Sequence, residues 1–135
     1  VQPWREGSRS ASNAGEVPSI DFFRNEPSVP FVHGSRIFDE GDRGDTMYAV
    51  LEGEVELRTG DRLLEIVGPG GVFGELALID TKPRSASAIS KTDGRLVELD
   101  RQRFLFLVQN TPFFALEVMQ VLGERLRRMD ENVRL

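Results

Sequence analysis

A chain of 135 residues that is 39% hydrophobic and 29% charged is long enough for one domain with a buried core, and its composition is that of an ordinary globular protein. The absence of cysteine excludes disulfides, a thiolate nucleophile and a cysteine-held metal. A net charge of −5 argues against a nonspecific nucleic-acid partner, which needs a basic face, and no apolar run reaches the roughly 18 residues of a membrane span. VQPWREGSRS has no apolar centre of the kind a signal peptide carries, so a cytoplasmic location is expected.

Residues 1–18 are rich in serine and glycine and are expected to form a flexible tail, with residues 19–135 as a single domain. Trp4 is the one large apolar residue in that tail, either simply exposed or a partner contact. Ser19 is placed to cap a short helix through Arg24, with Pro27 beyond its end and Phe22 and Phe23 docking it on the body.

From Phe31 the pattern turns to β. Phe31-Val32-His33 and Arg36-Ile37-Phe38 are short extended pieces, and Glu40–Asp45 is a polar turn. Thr46–Leu51 carries the aromatic and β-branched content of a strand, Glu54–Leu57 alternates, and Thr59-Gly60-Asp61 turns the chain into Arg62–Val67. Further on, Ser85–Lys91 is extended and Asp93-Gly94 signals a hairpin into Arg95–Leu99. Short strands separated by glycine turns predict a mainly β fold, an eight-stranded double-sheet roll of the jelly-roll kind. The end is helical, so two C-terminal helices complete the fold. Asp100 caps Arg101–Gln109, and a helix of about 22 residues starts near Pro112. Ala115, Met119, Leu122, Leu126, Met129 and Val133 make a heptad-like seam on it, a possible homodimer contact, while Phe113, Phe114 and Met119 are expected to pack on the domain itself.

Between the strands lies Gly68–Ala88, GPGGVFGELALIDTKPRSASA. Glycines at 68, 70, 71 and 74 allow close backbone approach or positive φ, and Gly74–Ile79 can form a one-turn helix whose free N–H groups face an anion. Pro83 stops that helix, and Arg84 brings a fixed positive charge. An arginine among backbone amides suits a phosphate, and Glu75 beside it suits a hydroxyl donor such as a ribose. One phosphate charge next to one ribose hydroxyl describes a cyclic mononucleotide. The bland alternative is an ion pair between Glu75 and Arg84 that pins a loop.

FGELALIDTKPRSASA at 73–88 resembles the phosphate-binding cassette of cyclic-nucleotide-binding domains, as found in protein kinase A regulatory subunits, cyclic-nucleotide-gated channels and bacterial catabolite activators. The resemblance extends over IFDEGDRGDTMYAVLEGEVEL and implies the same roll, with Gly41, Gly44 and Gly53 as turn glycines. It implies Phe73, Gly74, Glu75, Leu76, Ala77, Arg84, Ser85 and Ala86 as the ligand-binding residues. Glu75 would take the ribose 2′-hydroxyl, Arg84 the phosphate, and the amides of Gly74, Ser85 and Ala86 the rest of the anion. Ser85 suits either cAMP or cGMP, and cAMP is the expected ligand. In the catabolite activators the long last helix pairs two subunits and covers the base, so Arg125, Arg128 and Met129 are candidate lid residues.

Nothing points to catalysis. His33 is the only histidine, too few for the metal site of a β-roll enzyme, and it reads as a solvated or hydrogen-bonded strand residue. Asp39, Glu40, Asp42 and Asp45 miss calcium-loop spacing and read as turn charges. Phe73 stands where a dinucleotide fingerprint needs glycine, and there is no G-K-[ST] for a nucleoside triphosphate. The expected role is a stand-alone sensor acting in trans on an effector protein, without cofactor or metal, and the alternative is a structural or protein-interaction roll that binds no ligand.

Overall fold

Glycine turns cut the chain into eight short strands, as the spacing predicts. The computed structural model describes Phe23 and residues 25–133. Its strands are β1 (Val29–Phe31), β2 (Arg36–Phe38), β3 (Thr46–Glu52), β4 (Val55–Thr59), β5 (Arg62–Val67), β6 (Val72–Phe73), β7 (Ser87–Ser90) and β8 (Gly94–Asp100). A four-residue 3-10 helix, Glu75–Leu78, follows β6, and α1 (Arg101–Asn110) and α2 (Pro112–Val133) end the fold. All pairings are antiparallel, in two four-stranded sheets of order β1-β8-β3-β6 and β2-β7-β4-β5. This is the double-sheet roll.

The expected N-terminal helix and the tail with Trp4 fall outside the described residues, apart from Phe23, whose ring is fully buried against Phe114. Three local expectations change. The first strand is Val29–Phe31 and not Phe31–His33, since its register pairs Val29 with Leu96. Pro30 is tolerated there because β1 is an edge strand. The glycine-rich bend contains a strand of its own, β6, which pairs with β3. Asp93-Gly94 is no hairpin, because β7 and β8 belong to different sheets and the turn carries the chain from one to the other. Gly94 is required there by space. A Cβ on it would lie 2.1 Å from the Glu52 carbonyl oxygen and 2.5 Å from the Phe31 ring.

Two apolar clusters hold the layers together. Phe31, Val50, Val55, Val67, Phe73, Ala88 and Leu96 fill the space between the sheets. Met47, Ala49, Val97 and Leu99 point from the other face of the first sheet, where Leu107, Phe114 and Val118 of the helices and Leu78 of the 3-10 helix cover them. Period-two alternation thus buries the first sheet on both faces.

Asp100 caps α1 as expected, its Oδ1 accepting from the Arg103 amide at 2.8 Å. The chain bends by 119° between α1 and α2. On α2, Phe114 and Val118 are buried and Val121 and Leu122 pack against them, whereas Phe113 and Met119 are exposed together with Leu126 and Met129. The expectation that Phe113 and Met119 face the body is therefore corrected. A helical repeat defines a stripe, and the 119° turn-in decides which flank of it meets the sheet. No single helix among the described residues is long and apolar enough to cross a membrane.

Candidate functional site

Gly74 makes the turn on which the site depends. Its φ of 77° lies in the left-handed region, where a side chain is strained, and it ends β6 and starts the 3-10 helix at once. Ala77 and Leu78 are buried and fix that short helix to the body, which leaves Glu75 buried at its first position with 5% exposure. The expected one-turn helix is thus real, in its tighter form.

Arg84 is held twice over. Its backbone is clamped to the acidic turn, the Arg84 amide donating to the Asp42 carbonyl at 2.7 Å and the Gly41 amide to the Arg84 carbonyl at 2.8 Å. Of the residues read as solvated turn charges, Asp42 thus holds the Arg84 backbone, through its main-chain carbonyl and not its charge. Its guanidinium lies 4.0 Å over the Phe38 ring and donates to the Gly74 carbonyl (3.2 Å) and the Thr46 carbonyl (2.8 Å). Two of its five N–H groups are so used. The Nε is the one buried side-chain nitrogen or oxygen, among the described residues, without a hydrogen-bond partner. A buried cationic donor without an acceptor is costly, and an anion is the ligand that repays it.

The glycines around Arg84 matter for room. A Cβ on Gly44 would sit 2.7 Å from Nη2, and one on Gly74 would sit 2.9 Å from Nη1. Gly41 and Gly53, with φ of 91° and 86°, are turn glycines as expected; Gly44 is not, and is there to admit the guanidinium. Tyr48 stacks on Phe73 at 5.2 Å beneath, and burial pushes its phenol above the usual range while the Arg84 charge pulls the other way.

Glu75 does not pair with Arg84. Its Oε1 accepts from Arg125 Nη1 at 2.9 Å, so a second cation reaches the site from α2, fifty residues along the chain. Arg125 also donates through Nε and Nη2 to Glu65 (2.8 and 3.2 Å) and through Nη2 to the Val72 carbonyl (2.7 Å). Burial opposes its charge, but the hydrogen bonds and charges of Glu65 and Glu75 outweigh that and lift its pKa above the usual arginine value. Arg125 thus adds a second fixed positive charge beside Glu75.

The other candidate residues divide by exposure. Phe73 is fully buried in the core between the sheets, and Ala77 is buried in the wall of the short helix. Leu76 and Ser85 are exposed and Ala86 half-buried. On α2, Arg128 reaches Glu65 at 3.5 Å while Met129 is exposed. His33 is in a turn and not a strand; its amide donates to Asp93 Oδ1 at 2.8 Å. Glu65 was not legible as a site residue, since it lies on an ordinary strand ten positions before Glu75. Only its alternation with Val67, which places both on the inner face, could have pointed to it.

Comparison with known proteins places the chain in a family. Residues 28–111 match the model of the cyclic nucleotide-binding domain, more than half of the chain, and the chain belongs to that family. It is 36% identical over 110 residues to a CRP-like cAMP-activated global transcriptional regulator of Mycobacterium tuberculosis, covering 78% of this chain and 49% of that protein. The crystal structure of Thermus thermophilus catabolite activator protein superposes with a TM-score of 0.73 at 32% identity, over 88% of this chain and 59% of that one. The cAMP-bound form of the EAL enzyme Bd1971 matches at 38% identity and a TM-score of 0.57, over 78% of this chain and 29% of that one. The chain spans about half the length of the curated relatives it matches.

Proposed function

We propose that this domain binds a cyclic mononucleotide, cAMP in preference to cGMP, and reports occupancy through α2 to an effector protein. The observation that carries this is Arg84, a half-buried arginine whose buried Nε has no partner, held to the carbonyl of Gly74, the residue next to the buried Glu75. Arg84 and the amides of Gly74, Ser85 and Ala86 take the phosphate, in charge-assisted bonds of about 1.5–3 kcal/mol each. Glu75 takes the ribose 2′-hydroxyl on the oxygen that Arg125 leaves. Phe73, Leu76 and Ala77 hold the cassette in shape, and Arg125, Arg128 and Met129 form the lid over the base.

The preference for cAMP is supported by the M. tuberculosis relative, which is named as cAMP-activated. Bd1971 has been solved with cAMP and with cGMP, and Ser85 offers its hydroxyl to either base, so the preference is one of degree. The outward face of α2, with Leu116, Met119, Leu126 and Met129 exposed, suits a second copy of the chain or the effector. A cytoplasmic location fits a ligand of this kind. The effector is reached in trans or as a further domain; the second reading is favoured by relatives that are named transcriptional regulators and are twice as long as the shared stretch.

Calorimetric titration with cAMP, cGMP and 2′-deoxy-cAMP tests this. Wild type is expected to bind cAMP most tightly, and Glu75→Ala to bind it about tenfold more weakly without distinguishing ribose from deoxyribose. No heat with either cyclic nucleotide would leave the roll as a structural or protein-interaction domain.

A further inference from the structure

Arg125 divides its donors unequally between two carboxylates. Glu65 receives a two-point contact, from Nε at 2.8 Å and from Nη2 at 3.2 Å, while Glu75 receives one bond, from Nη1 at 2.9 Å. A two-point contact fixes the plane of a guanidinium as a single bond cannot. Glu65 is also the carboxylate that Arg128 approaches, at 3.5 Å, one turn further along α2. It lies on β5, outside the cassette. It shares a strand face with Val67 of the inter-sheet core, on the edge strand of the second sheet.

We propose that Glu65 is the positioning residue of the ligand site: it holds Arg125, and with it α2, so that Arg125 engages one oxygen of Glu75 and leaves the other for the ligand. The proposal rests on Glu75 being the hydroxyl acceptor. Without the Glu65 charge, Nη2 keeps the Val72 carbonyl at 2.7 Å, but Nε and the second Nη2 N–H exchange a two-point carboxylate for at most one neutral oxygen in a partly buried place. The nearest way to satisfy them is for the guanidinium to turn and take both oxygens of Glu75. The ligand hydroxyl then has to share an oxygen that already accepts from Arg125, and binds more weakly.

The test is Glu65→Gln, which keeps the size and removes the charge, measured with cAMP and 2′-deoxy-cAMP in the wild-type and Arg125→Ala backgrounds. Affinity for cAMP is expected to fall about five- to tenfold and affinity for 2′-deoxy-cAMP less than about twofold, with no further loss once Arg125 is absent. Equal losses for the two ligands, or a loss that persists in the Arg125→Ala background, would overturn the proposal. A ligand-free arm follows amide hydrogen exchange over residues 119–129, which should speed up in Glu65→Gln while the protection of β3 and β8 is kept. Unchanged exchange overturns the tether. If wild type binds none of the nucleotides, the reading of Glu75 fails and the ligand half of the proposal falls with it; the exchange arm then judges the tether separately.

Discussion

Arg84 and Arg125 stand at the same site and are held in opposite ways. Arg84 comes nine positions after Glu75, its backbone clamped by Gly41 and Asp42 and its guanidinium by two carbonyls and an aromatic face. None of these contacts comes from α1 or α2. Arg125 arrives from fifty residues away, held only by Glu65, Glu75 and one carbonyl, on a helix whose packing stops near Leu122. One half of the site is therefore set when the roll forms, and the other half is conditional on where α2 lies. On the proposed reading, Arg84 would be the fixed anchor for the ligand and α2 the element whose place the ligand biases.

The comparison can be broken at several points. Phe114→Ala removes the ring packed between Phe23 and Phe104 that docks α2, and should cost about 3–5 kcal/mol of stability by chemical denaturation, loosening the Arg125 half while the Arg84 frame persists. Arg84→Ala should weaken cAMP binding about a hundredfold, close to 2.8 kcal/mol, with little change in the ligand-free melting temperature. Binding as tight as wild type would remove Arg84 from its assigned role. Gly44→Ala sharpens the contrast more gently, since a Cβ 2.7 Å from Arg84 Nη2 must push the guanidinium aside. About a tenfold loss of affinity is expected by calorimetry, and a variant with wild-type affinity would show that Arg84 needs no such room.

Much of this was legible in the sequence, and what escaped it has physical reasons. The strands, the cap at Asp100 and the glycine–helix–arginine frame all rest on local chemistry, which spacing records. Asp93-Gly94 carries the local signal of a hairpin, but a turn does not state which sheet the next strand joins. Gly44 resembles a turn glycine, whereas its need is space for a side chain forty residues on. Arg125 is reached in the sequence only through the resemblance to the catabolite activators, and its partner Glu65 depends on the bend between α1 and α2, which no local pattern encodes. The same bend put Met119 in solvent, not on the sheet.

That bend also makes α2 a lever. Phe114 lies near its start and Arg125 eleven residues further on, about 16 Å away at 1.5 Å per residue. A tilt of about 10° around Phe114 would carry the arginine by about 3 Å, as far as the whole length of its bond to Glu75. The angular tolerance at the aromatic fulcrum thus sets how closely Arg125 is held to Glu75. On the proposed reading, a slight rotation where Phe23, Phe104 and Phe114 meet would make or break the hydrogen bond between Arg125 and Glu75.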